Sequence, residues 1–197
     1  HLDEYTRYTS PKRETIDITS PEVILIMGRA FVGAEYQDWN GRTAHSRVAY
    51  CFRSPDRGHH WENTPSIIWP NHTCEVVELA NNMIKLGGPK LMAWLVGYGK
   101  IGDTTIGNYN PLLYVSEDNG VTWHLYSEIA HDPHDRIAMS YPQIVMLPSG
   151  RWFCSLGCWF KDAGAIIRWT SICYSDDRGL SWSPPKRIHS WSVSPFP

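Results

Sequence analysis

"YVSEDNGVTW", Tyr114 to Trp123, reads as the tight end of a β-hairpin, and the chain carries it three times. "FRSPDRGHHW" (Phe52 to Trp61) precedes it and "YSDDRGLSW" (Tyr174 to Trp182) follows. Aligned on serine, Ser54, Asp56, Gly58 and Trp61 recur as Ser116, Asp118, Gly120 and Trp123, then as Ser175, Asp177, Gly179 and Trp182. The spacing is about sixty residues, and self-similarity at a fixed period signals a repeat architecture.

The turn has a physical logic. An Asp carboxylate accepts from nearby backbone N–H groups and holds a turn closed. Gly supplies a positive φ that other residues reach only at a cost. Trp covers apolar area and offers an indole N–H to a carbonyl. The residue before Trp is Thr122 and Ser181 in two copies and His60 in the first, the most degenerate copy.

Between the turns the pattern is β, with no sustained helical periodicity. The third repeat reads as strand A "YPQIVML", a "PSG" turn, strand B "RWFCSLGCWF", strand C "RWTSICYS", the polar turn, and a proline-interrupted edge strand D in "SWSPPKRI". The first repeat gives A near "TIDITS", B "VILIMGRAFVGAE", C "RVAYCFRS" and D near "PSIIW". The second gives "CEVVEL", "LMAWLVGYG", "PLLYVS" and D near "HLYSEI", with residues 81–90 the hardest to assign. Four strands per unit, repeated radially, is the sequence form of a β-propeller blade. The expectation is an all-β fold, a β-propeller of four-stranded antiparallel blades, with blades at about 14–70, 71–130 and 137–191.

Composition narrows the function classes. The 197 residues are 42% hydrophobic with 10 Trp, which is globular rather than disordered. The net charge is −2 with no basic run, so no nucleic-acid partner is expected. Apolar stretches such as Val23 to Met27 are too short to span a membrane, and no membrane partner is expected. Five Cys, an odd number, argue against a complete disulfide framework. Cys154 and Cys158 on one strand would stand too far apart to bridge, and buried thiols are the expected reading. "HDPHDR" (His131 to Arg136) tempts a metal reading, but without a further ligand a polar loop is expected, with no metal and no cofactor.

The motif S-x-D-x-G-x-[TS]-W resembles the Asp-box, also called the BNR repeat, of sialidases and related propellers. "GAEYQDWNGRTAHSRVAYCFRSPDRGHHW" (Gly33 to Trp61) is similar to the first blade of an exo-sialidase, and "LPSGRWFCSLGCWF" with "SICYSDDRGLSW" to its third. The resemblance implies a six-bladed ring, of which this chain supplies half. It is then a fragment or, if complete, a homodimer that closes the ring. The resemblance also implies a sialidase-like glycoside hydrolase acting on terminal acidic sugars of glycans. The alternatives are a non-catalytic glycan- or protein-binding propeller and a polysaccharide lyase on the same fold, with His131, His134 and Tyr141 then of interest.

Strand direction locates the site. In an A-B-C-D meander the A–B and C–D turns share one face, and the B–C loops and D–A links share the other. The boxes are read as structural clasps, and the sialidase resemblance implies that the substrate lies on the opposite face. The first B–C loop is expected to hold Glu35, Gln37, Asp38, Trp39, Arg42 and His45. The second holds Asp103, Asn108 and Asn110, and the third Lys161, Asp162 and Arg168. The D–A links hold His72 and then His131, Asp132, His134, Asp135 and Arg136. The resemblance makes Asp38 the acid, with Glu35 assisting; Arg42, Arg136 and Arg168 are read as a rearranged cluster for a substrate carboxylate, and Trp39 as an aromatic that stacks on a sugar. Two positions depart from the family: Thr19 and Gln37 stand where it has arginine.

Overall fold

In the computed structural model, which describes residues 7–8, 15–17, 24–37, 43–68, 75–79, 84–87, 89–98, 109–134, 136–163 and 165–189, every regular element is a strand. The first sheet contains β1 (Arg7–Tyr8), β2 (Thr15–Asp17), β3 (Ile24–Gln37), β4 (Thr43–Ser54) and β5 (Ser66–Ile68). The second contains β6 (Glu75–Leu79), β7 (Ile84–Gly87), β8 (Lys90–Tyr98), β9 (Tyr109–Ser116) and β10 (His124–Glu128). The third contains β11 (Ala138–Met146), β12 (Trp152–Asp162), β13 (Ala165–Ser175) and β14 (Lys186–His189).

All pairings are antiparallel, and each sheet is a meander of four strand positions. Position A is split in two of them. β1 and β2 both pair with β3, and β6 and β7 both pair with β8. The first sheet thus reaches back to Arg7, and residues 84–87 complete strand A of the second. The B–C hairpins are also longer than their polarity suggests. Glu35 pairs with His45 and Gln37 with Thr43, so these residues belong to strands rather than to a loop. The same correction applies to Asn110, Lys161 and Asp162, while Arg168 lies in β13, within the strand C expected for it. Polar side chains at a hairpin end face water, so strands there lose the apolar alternation that identifies them.

Consecutive sheets stack strand C on strand A, with β4 against β6 and β9 against β11. The core lies in the stack: Leu112, Leu113, Tyr114 and Val115 of β9 are buried with Trp152, Cys154, Leu156 and Cys158 of β12 and Trp169 and Cys173 of β13. Burying each large apolar side chain contributes about 1.5–3 kcal/mol. Cys51, Cys154, Cys158 and Cys173 are free and buried, and Cys74 lies outside the described residues. Cys154 and Cys173 face each other in register without a disulfide, and the Cys173 thiol donates to Cys154 O.

The repeat exposes a contrast between equivalent residues. Counted back from the box serine, Cys51, Leu113 and Ile172 are equivalent; the first two are fully buried and the third is not. Two places nearer the box, Val115 is 1% exposed and Tyr174 is 42% exposed. Each earlier sheet buries this face under its successor. In the third sheet the same face, with Val145 and Ile166, stands open.

Candidate functional site

The box turns are closed on themselves. In each copy the serine hydroxyl donates to the aspartate, at 3.0 Å for Ser54–Asp56, 2.8 Å for Ser116–Asp118 and 2.7 Å for Ser175–Asp177. The same oxygen accepts from the box glycine N–H at 2.7–2.8 Å. The carboxylate accepts from the backbone N–H of His60, Thr122 or Ser181, and its second oxygen meets that residue's side chain. Arg57, Asn119 and Arg178 have φ of 56–60°, and Gly58, Gly120 and Gly179 follow at 83–90°. Two successive positive φ values make the type I′ hairpin turn. The indole N–H of Trp123 donates to Gly120 O and that of Trp182 to Gly179 O. Trp61, in the degenerate copy, is 38% exposed.

These bonds shift the acids. The backbone and side-chain bonds from His60, with Ser54, lower Asp56 to about 2. The side-chain and backbone bonds from Ser181, with Ser175, lower Asp177 to about 2. Burial pushes Asp118 upward, but the bonds from Thr122 and Ser116 outweigh it and its pKa falls. A carboxylate held this firmly in its charged form is a poor proton donor.

The boxes also tie one sheet to the next, which sequence reasoning missed. Ser66 of β5 donates to Val121 O of the second box, and Ser127 of β10 donates to Gly179 O of the third. The two serines are themselves about sixty residues apart, a repeat signal too short to notice alone. At this end, too, Lys90 pairs with Glu117 at 3.0 Å, and Arg151 makes a two-point contact with Asp176 at 2.6 and 2.9 Å. The N–H of Asn119 donates to Pro89 O, so the A–B and C–D turns share this end.

The opposite end has a different chemistry. Ala138, Trp159 and Arg168 form one cross-strand row at the B–C end of the third sheet. Arg136 precedes that row by two residues, so Arg136 and Arg168 share an end, and both are exposed. Tyr109 of the second sheet meets Trp159 of the third, ring centroids 5.4 Å apart. His131 Nδ1 lies 3.4 Å from Asn110 Oδ1 and 3.8 Å from Glu128.

Asp132 is the exception at this end. It is buried, and its carboxylate accepts from the N–H groups of His134, Arg136 and Ile137. Burial raises its pKa, and the three backbone bonds outweigh that and lower it. These bonds make it the residue that shapes the link. Of the acid candidates, Glu35 stands at the end of β3 opposite His45, and Asp38 lies outside the described residues. Trp39, Arg42, His72, Asp103, Asn108, Asp135 and Thr19 also lie outside them.

A BNR/Asp-box repeat model matches residues 114–125, the second box and the start of β10. No curated protein matches the chain in sequence. Among solved structures, a Dyadobacter fermentans protein of unknown function is similar at 16% identity and TM-score 0.59, over 88% of this chain and 50% of that one. A Penicillium chrysogenum α-L-arabinanase complexed with arabinobiose is similar at 16% identity and TM-score 0.57, over 93% of this chain and 50% of that one. A family 117 glycoside hydrolase from Zobellia galactanivorans is similar at 12% identity and TM-score 0.58, over 93% and 61%. The chain spans about half the length of such structures. The likeness shows the fold: the chain is a partial β-propeller of antiparallel blades with BNR/Asp-box turns.

Proposed function

We propose that the chain belongs to a glycan-acting glycoside hydrolase and that its substrate lies at the B–C and D–A end. The observation that carries this reading is the contrast between the two ends. The box carboxylates are consumed by their own turns. The opposite end gathers exposed Arg136 and Arg168, the imidazole of His131 and the Tyr109–Trp159 aromatic pair, the groups that grip and stack on a sugar. Solved structures of the same fold include an arabinanase and a family 117 glycoside hydrolase.

The finer reading is acid-assisted cleavage of a terminal acidic sugar. Asp38 would protonate the leaving oxygen, with Glu35 assisting. Arg42, Arg136 and Arg168 would hold the sugar carboxylate, and Trp39 would stack on the ring. An acid beside several guanidinium groups has its pKa depressed, so Asp38 must stand apart from them.

One observation favours a neutral sugar instead. Thr19 and Gln37 stand where the family resemblance puts arginine. The test measures binding and turnover of sialyllactose and arabinobiose, with Arg136→Ala and Arg168→Ala alongside. Sialyllactose binding that both variants weaken supports the acidic sugar, and binding of arabinobiose alone supports the neutral one. Binding without turnover by the chain joined to the rest of its ring would mark a lectin-like propeller. Binding of neither sugar would refute the glycan reading.

A further inference from the structure

Among the described residues, five non-glycine residues have positive φ. Arg57, Asn119 and Arg178 occupy the box turns, and Ala163 sits at the tip of the β12–β13 hairpin. Tyr141, at φ 52°, stands inside a strand. The pairing slips there: Ser140 pairs with Gly157 and Gln143 with Ser155, so Tyr141 and Pro142 together face Leu156. A bulge of this kind re-aims a side chain. Glycine or asparagine makes it without strain, and a bulky aromatic is a conformational outlier. Pro142 restricts the backbone of Tyr141 further. Residues strained in this way cluster at active sites and ligand clamps.

The place is also suggestive. Within about two residues of the same level, strand A of every sheet leaves its partner. In the first sheet the break lies between Tyr8–Ala30 and Thr15–Met27, and in the second between Leu79–Leu95 and Ile84–Met92. Beside the bulge, Gln143 keeps a buried side-chain nitrogen with no hydrogen-bond partner. β11 enters from the D–A link, so Tyr141 lies just inside the row of Ala138, Trp159 and Arg168.

We infer that Tyr141 is a ligand-contacting residue, its half-buried phenol aimed by the bulge at a sugar hydroxyl on the B–C and D–A end. The inference rests on the glycan reading. Its test compares the whole chain with Tyr141→Phe and Tyr141→Asn, by melting temperature and by calorimetric titration with sialyllactose and arabinobiose. Asn accepts the left-handed backbone and removes the ring, whereas Phe keeps the ring and removes the hydroxyl. The expected result is a Tyr141→Asn protein that melts no lower than the parent and binds about tenfold more weakly, with a several-fold loss for Tyr141→Phe. A lower melting temperature for Tyr141→Asn with affinity unchanged in both variants would make the bulge purely structural and overturn the inference. A parent chain that binds neither sugar would overturn the glycan reading and this inference with it, and the parent titration alone distinguishes that outcome.

Discussion

The hydroxyl of Ser127, on the outermost strand of the second sheet, donates to the carbonyl of Gly179 in the box of the third. The same oxygen accepts from the indole N–H of Trp182 at 3.3 Å. One small side chain therefore joins two blades and fixes the box tryptophan. Ser127→Ala removes both bonds but leaves Trp182 donating to Gly179 O, so the expected loss is about 0.5–1.5 kcal/mol in urea unfolding. A loss within error would show that the clasp is incidental.

Glycine positions separate crowding from backbone strain. A Cβ on Gly179 would lie 2.8 Å from Leu113 Cδ2 and 3.0 Å from Trp152 Cζ3, at φ +86°. Gly179→Ala combines left-handed strain with overpacking and is expected to cost roughly 2–4 kcal/mol. Gly150, at φ +90°, has open space where its Cβ would stand. Gly150→Ala should cost about 1–2 kcal/mol, the strain alone. Equal losses in denaturant unfolding would contradict the close packing of the third box on the second sheet.

Acid should loosen the box turns. Asp56 and Asp177 fall from the ordinary 3.8 to about 2 on folding. A depressed carboxylate contributes stability above its unfolded pKa and loses it as pH falls through the folded value. The expected decline therefore runs from about pH 4 down to about pH 2. Thermal melts across that window check it, with Asp177→Asn showing a shallower decline than the parent. A parallel decline in the variant would remove Asp177 from the account.

Burial pushes the Cys158 thiol up to about 11 and Cys154 well above its usual value. Thiolate is the reactive form, so both should be silent to a thiol reagent at neutral pH and react on unfolding. Reaction of either in the folded chain, seen by peptide mapping after labelling, would show that the core opens.

The box turns were legible because their chemistry is local: Ser, Asp and Gly within five residues suffice to close them. Strand order followed from the alternation between boxes. The reach of the strands was not legible, because Gln37, His45 and Lys161 are polar residues at hairpin ends and look like loop. The break in strand A was hidden for a related reason. Nothing in "MSYPQ" requires the left-handed φ that Tyr141 adopts, since tertiary pairing imposes it. Of the candidate site, sequence placed Arg136 and Arg168 on one end through strand direction alone. Asp132 stood among the exposed D–A link residues because three backbone donors leave no mark in a sequence.

The open face of the third sheet marks where a further blade, or a second copy of the chain, would stack. Tyr174 is exposed where its equivalent Val115 is buried, and Val145 and Ile166 are exposed on the same face. Ile172→Asp should therefore reduce self-association or binding of a hydrophobic dye by the 197-residue chain, as seen by sedimentation and fluorescence. A parent chain that sediments as a monomer and binds no dye would contradict this.

The central claim is that the two ends of the blades divide the work, with the boxes holding the fold and the opposite end meeting the ligand. The most direct measurement is a crossed comparison of Asp118→Ala and Arg168→Ala, each by melting temperature and by calorimetric titration with the sugar that the parent binds. The account predicts a lower melting temperature with unchanged affinity for Asp118→Ala, and an unchanged melting temperature with weakened affinity for Arg168→Ala. Weakened affinity in Asp118→Ala at an unchanged melting temperature, with Arg168→Ala indistinguishable from the parent, would contradict it.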